Sequence, residues 1–171
     1  AGPFGRPSKI HRWHPQKDGR VVVVGGGVGV APAFPVARAL AAAGNKVTAI
    51  VGAKTEDLLF WTEKMGRHVD EVIVMTDDGS AGSKGFVNAG LEELIQRGWG
   101  GKIAEVFAVG PVPMMDAIVK VTKEHDIPVT VSVNAMMVDG TGMCGGCRVE
   151  VDGKSLFACV HGPEFDGALL N

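Results

Sequence analysis

Five short apolar runs, each separated from the next by a stretch of helical character, constrain this chain more than any other feature. Val21–Val24, Lys46–Val51, Val69–Met75, Ala104–Val109 and Val129–Val133 read as strands. Ala33–Ala43, Leu58–Met65, Val87–Arg97 and Pro113–His125 read as helices, with Thr55-Glu56-Asp57 as a helix start and Gly44-Asn45 and Gly98 as stops. Parallel strands need crossover connections of about a dozen residues or more, and the stretches between these runs are long enough. Val21–Val24 is apolar without alternation, as a strand covered on both faces requires.

The expected fold class is therefore α/β: a Rossmann-like five-stranded parallel sheet with helices on both faces, spanning residues 21–133. Residues 1–20, with Pro3, Pro7 and Pro15, read as an extended connector. From Asn134 the helical pattern stops and glycine, methionine and cysteine take over, so residues 134–171 are expected to form a small C-terminal subdomain.

The first strand runs into Gly25-Gly26-Gly27-Val28-Gly29-Val30-Ala31-Pro32, which from Gly27 reads G-x-G-x-x-P. A glycine turn between strand and helix is where a dinucleotide pyrophosphate meets helix-terminal N–H groups. Gly25, Gly27, Gly29 and Ala31 are small enough for close backbone approach, and Pro32 suits a first helical turn. Pro32 stands where the full fingerprint has glycine, and no acidic residue follows about twenty positions on. A tight turn without a ligand is the competing explanation.

Lys54, after the second strand, could pair with a ribose 2′-phosphate or with solvent, which leaves NAD(H) and NADP(H) both open. Asp77 and Asp78, after the third, could accept hydrogen bonds from ribose or close an Asx turn. Gly110, Pro111 and Met114, after the fourth, could line a nicotinamide slot or simply begin the next helix.

The three cysteines, Cys144, Cys147 and Cys159, all fall in the C-terminal part. Read from Asp139 they give D-x4-C-x2-C and then a third cysteine, which is the plant-type [2Fe–2S] frame with a carboxylate in the first place. Gly140, Gly142, Gly145 and Gly146 supply backbone N–H groups around it. Asp139 is the expected fourth ligand and His161 the next candidate; structural zinc and a redox dithiol remain alternatives. Two histidines, as a Rieske centre needs, are not at hand. The other histidines (His11, His14, His68 and His125) read as surface or linker residues, and Met136-Met137 as core packing.

A net charge of −2 gives no nucleic-acid surface, and the basic stretch Lys9–Arg20 reads as a solvated linker. Clustered thiols point to a reducing, cytoplasmic setting. The apolar stretch 21–44 is interrupted by glycine, proline and Arg38, so no membrane span is expected.

Taken together, Gly27–Pro32, Thr76-Asp77-Asp78-Gly79-Ser80, Gly110–Met115 and Val138–Arg148 resemble the ferredoxin–NADP⁺ reductase superfamily. Within it they are most similar to the small subunits of NADH-dependent reduced ferredoxin:NADP⁺ oxidoreductases and sulfide dehydrogenases. The electron-transfer subunits of dihydroorotate dehydrogenase are related. The resemblance implies an oxidoreductase subunit that moves electrons between a nicotinamide nucleotide, FAD, a [2Fe–2S] cluster and a larger flavin/iron–sulfur partner subunit. It implies Gly27, Gly29 and Pro32 at the pyrophosphate and Cys144, Cys147 and Cys159 as thiolate ligands. It also implies an aspartate fourth ligand in the first group and a cysteine in the dihydroorotate group, so Asp139 separates the two.

The flavin-binding barrel of that family has no counterpart here. Gly2–Pro7 looks like its tail, and the chain is expected to be a fragment, inactive without the barrel. A non-catalytic nucleotide-binding module with a structural metal is the alternative of a different class.

Overall fold

The computed structural model describes residues 2–13, 19–99 and 102–170; His14 and the rest of 14–18, in the expected connector, lie outside them. Among the described residues nine strands and five α-helices follow one another: β1 (Arg20–Gly26), α1 (Val30–Ala42), β2 (Lys46–Ala53), α2 (Thr62–Gly66), β3 (Glu71–Thr76), β4 (Ser83–Lys84), α3 (Val87–Leu94), β5 (Ile103–Val109), α4 (Val112–Glu124), β6 (Val129–Ser132), β7 (Arg148–Val151), β8 (Lys154–Phe157), α5 (Ala158–His161) and β9 (Glu164–Asp166).

The main sheet has the order β4-β3-β2-β1-β5-β6-β9, and β7 pairs only with β8. The five expected parallel strands are all present, β1–β2 with Val22 opposite Thr48 and β1–β5 with Val22 opposite Val106. The strand count is corrected from five to seven: β4 extends one edge in parallel, and β9 joins the other edge antiparallel to β6. Because β9 belongs to the cysteine-bearing segment, that segment is hydrogen-bonded into the sheet.

Val21 to Val24 are all buried, and their side chains alternate between two cores. Val22 and Val24 pack with Ile50, Leu91, Leu94 and Ile118 beneath α3 and α4. Val21 and Val23 pack with Val47, Ala37, Leu40 and Phe107 beneath α1. Burying each such side chain contributes roughly 1.5–3 kcal/mol, so β1 is the spine of the sheet.

Three expectations are corrected. The helix over Leu58–Met65 is reduced to α2, because Trp61 adopts φ 59° immediately before it. Arg20 is no solvated linker residue: it is 9% exposed, pairs with Glu71 at 2.9 Å, donates to Thr48 and lies 4.0 Å over the Trp99 ring. Met136 and Met137 are exposed at 75% and 49%, since they lie on the link that leaves β6 and no element covers them. Among the described residues no helix is long and apolar enough to cross a membrane.

The join between β1 and α1 is a tight backbone approach. A Cβ on Gly29 would lie 2.2 Å from the Val109 carbonyl oxygen. Gly29→Ala should therefore destabilise the chain by roughly 1–3 kcal/mol, at the upper end because the obstacle is backbone. A lowered urea midpoint at unchanged slope would register this; an unshifted midpoint would show that the helix sits farther from β5.

Candidate functional site

The sheet order reverses direction at β1, whose neighbours are β2 on one side and β5 on the other. A crevice opens at the carboxyl ends of strands at such a switch point. Here it is a cleft of about 400 Å³, floored by Gly26, Gly27 and Gly52 and walled by Phe86, Pro111 and Met114. Its lining is mostly apolar, with Lys54, Asp77 and Asn88 as its polar members.

Gly27 has φ 55°, in the left-handed region, and a Cβ there would meet nothing within 4 Å. Its backbone faces open space at the head of α1, as a phosphate site needs. Gly26 and Gly110 are occupied differently: a Cβ on either would run into the Met114 thioether, at 2.2 Å and 2.8 Å from its sulfur. Met114 is thus seated on two glycine backbones and sets the depth of the cleft.

Of the residues expected at a nucleotide, the structure brings Gly27, Lys54, Asp77, Pro111 and Met114 to the cleft wall. Gly25, Gly29 and Gly110 lie behind it as packing positions, a Cβ on Gly25 meeting Val30 Cα at 3.0 Å and Ala33 Cβ at 3.2 Å. Ala31 and Pro32 lie in the first turn of α1 but outside the cleft lining. Asp78 faces a neighbouring open hollow with Thr55, Glu56, Asp57 and Ser80. Its Oδ1 accepts from the Ser80 N–H at 2.9 Å and the Ser80 hydroxyl at 2.6 Å, the Asx turn considered above. Those two bonds hold its carboxyl below the usual carboxylate range.

Sequence reasoning missed Gly52, Phe86 and Asn88, which come from the ends of β2 and the start of α3. Gly52 carried a signal: it interrupts an otherwise apolar strand, and a Cβ there would lie 2.3 Å from Val87 Cγ1.

The cysteine-bearing segment forms its own small core of Cys147, Val151, Ala158, Cys159 and Phe165. Cys147 and Cys159 are 3% and 4% exposed, whereas Cys144 is exposed. The Cys159 N–H donates to Cys147 Sγ at 3.4 Å, and the Gly146 N–H to Cys144 Sγ at 3.4 Å. Asp139 accepts from the Thr141 N–H and the Cys144 N–H, both at 2.7 Å.

Each contact has an electrostatic consequence. The Cys159 N–H stabilises the Cys147 thiolate and pulls its pKa down, while the bond to Cys147 pushes the Cys159 thiol up. The Thr141 N–H, with that of Cys144, holds the Asp139 carboxyl low. His161 Nδ1 lies 3.0 Å from the Phe157 N, so that nitrogen is engaged at the junction of β8 and α5.

The structure thus joins Cys147 to Cys159 and Asp139 to the Cys144 backbone. Among the described residues, no three His, Cys, Asp or Glu side chains converge on a common metal-holding point. In donor type the set fits an iron–sulfur group, since two of its three sulfurs accept backbone N–H bonds and an oxygen donor stands beside them at Asp139.

Comparison with known proteins gives the same division of labour. Residues 23–120 match the model of the oxidoreductase NAD-binding domain, and residues 134–171 that of the iron–sulfur cluster binding domain of dihydroorotate dehydrogenase B. The chain belongs to the oxidoreductase NAD-binding domain family, and the segment behind that domain is similar to the cluster-binding domain of dihydroorotate dehydrogenase B.

A Thermotoga maritima protein, described as a homolog of the dihydroorotate dehydrogenase B (NAD(+)) electron transfer subunit, is 45% identical over 166 residues, 97% of this chain and 56% of the relative. A probable electron transfer subunit of the same enzyme from Methanopyrus kandleri is 37% identical over 165 residues, 96% of this chain and 58% of the relative. The solved NADH-dependent reduced ferredoxin-NADP oxidoreductase, a protein of flavin-based electron bifurcation, superimposes with a TM-score of 0.88 at 43% identity, over 100% of this chain and 59% of that one. The chain therefore spans a little over half the length of these relatives.

Met114 gives the cleft a direct test. Gly26→Ala should push the Met114 side chain into the cleft, because a thioether yields where backbone cannot. Nucleotide affinity measured by calorimetry should fall about tenfold, equivalent to about 1.4 kcal/mol, with the thermal midpoint little changed. Unaltered affinity would place the nucleotide away from Met114.

Proposed function

We propose that this chain is the nucleotide- and cluster-binding module of a flavin-dependent NAD(P)H oxidoreductase of the ferredoxin:NADP oxidoreductase type. The observation that carries it is the β6–β9 pairing, which builds a cysteine-bearing segment and a dinucleotide-type cleft into one sheet. Residues 21–133 serve the nucleotide and 134–171 the cluster.

Gly27, whose backbone is open at the head of α1, faces the pyrophosphate, with Gly26 on the cleft floor beside it. Lys54 and Asp77 bracket a ribose, and Pro111 and Met114 present an apolar wall to the nicotinamide ring. Cys144, Cys147 and Cys159, with Asp139 as fourth ligand, hold a [2Fe–2S] cluster, which supplies one-electron chemistry when bound. A flavin belongs to a barrel domain, on the same precursor or a separate chain, and a larger flavin/iron–sulfur subunit is the onward partner. No side chain here needs to act as general acid or base; the chain binds, orients and excludes water. Three clustered thiols without a disulfide, two of them buried, suit a cytoplasmic setting.

A second reading, the electron transfer subunit of dihydroorotate dehydrogenase, is favoured by the names of the two relatives above. Asp139, at the position where that group is expected to carry cysteine, speaks for the first.

Anaerobic purification tests the proposal. Iron and acid-labile sulfide should be present in equal amounts, reduction should give a paramagnetic signal, and Cys159→Ala should lose both. Asp139→Ala should change iron content or spectrum; an unchanged spectrum would remove Asp139 from the ligand set. Titration with NADH and NADPH should give saturable binding to at least one, and binding of neither would overturn the nucleotide assignment.

A further inference from the structure

The segment ahead of β1 lies across both arms of the cysteine-bearing segment. The tip of the Phe4 ring rests on Gly140: a Cβ at Gly140 would lie 3.0 Å from Phe4 Cε1, Cε2 and Cζ. One residue further, Gly5 at φ 77° comes so close to Gly162 that a Cβ would lie 2.3 Å from the Gly162 carbonyl oxygen. The Arg6 N–H donates to that same oxygen at 2.6 Å, and the Ser8 hydroxyl donates to Glu164 in β9. The segment is tied again farther along, where Asn45 accepts from the Trp13 N–H at 2.8 Å and donates to the His11 carbonyl at 2.9 Å.

These contacts fall at telling places. Gly140 directly follows Asp139, and Gly162 lies just beyond Cys159 at the end of α5. The strap therefore meets the chain beside the first and beside the last of the four proposed ligands. Phe4 is 43% exposed, so more than half of its surface is covered, and part of that contact is with Gly140 in the ligand loop.

We propose that Phe4 is a positioning residue for the cluster: it shields the Asp139–Gly140 side from water, while Gly5 and Arg6 brace the arm behind Cys159. The inference rests on the cluster reading above. Solvent exposure is one of the levers on the potential of an iron–sulfur group. Reduction adds a negative charge, which hydration stabilises, so uncovering this side raises the potential and admits oxidants.

The experiment uses the full chain, purified anaerobically with whatever subunits accompany it, as wild type, Phe4→Ala, Phe4→Leu and Gly5→Ala. Phe4→Ala should keep its iron and its NADH affinity, show a higher midpoint potential in a redox titration, and bleach severalfold faster in air. Phe4→Leu should restore most of both properties, and Gly5→Ala, which dislodges the strap from Gly162, should reproduce the Phe4→Ala phenotype. A Phe4→Ala protein with wild-type potential and bleaching rate overturns the inference. So does one with a lowered melting temperature whose remaining cluster keeps the wild-type potential, since that describes a merely structural role. Iron-free wild type would overturn the cluster reading and this inference with it, whereas iron-loaded wild type with indifferent variants overturns the inference alone.

Discussion

Three residues of antiparallel pairing, Thr130 with Asp166, Val131 with Phe165 and Ser132 with Glu164, hold this molecule's two halves in register. β9 begins three residues after α5, the helical turn that carries Cys159. Its pairing therefore fixes one side of the cysteine-bearing segment against β6, two strands from the β1 switch point. Phe165, buried from the same strand, packs with Cys147 and Cys159. A chain that binds a two-electron donor at one place and a one-electron group at another needs their separation fixed, and backbone hydrogen bonds between strands do this more firmly than a linker.

The nucleotide cleft depends on a comparable economy of space. Gly29 lets α1 close onto β5, Gly26 and Gly110 make a seat for Met114, and Gly52 makes room for Val87. Each side chain that a glycine forgoes is replaced by another element's atoms, except at Gly27, where the backbone is left open. Most of the glycine-rich turn thus builds the walls, and one residue of it, Gly27, is left open to the cleft.

Much of this was legible in advance because the relevant signals are local. Val21–Val24 announced a strand buried on both faces, and the helix-length gaps between apolar runs required parallel crossovers. The turn Gly25–Pro32 fell where strand passes to helix, and the cysteine spacing pointed to the segment that matches an iron–sulfur cluster binding domain. What stayed hidden was decided by tertiary contact. β9 is three residues with one apolar side chain among two acids, too short to show alternation, and β4 is two residues. Trp61 enters the left-handed region inside a helical pattern, where Phe34, Phe60 and Lys64 surround it. Phe86 and Asn88 reach the cleft only because α3 begins beside the end of β2.

The claim on which everything else turns is that both sites belong to one rigid sheet and each takes its own redox group. A crystal structure of the anaerobically purified protein with NADH, with anomalous scattering measured at the iron edge, would decide it. We expect two iron peaks within bonding distance of the Cys144, Cys147 and Cys159 sulfurs, together with dinucleotide density over Gly26 and Gly27. A map without iron at those sulfurs, or with the nucleotide bound away from the carboxyl ends of β1 and β5, would contradict it.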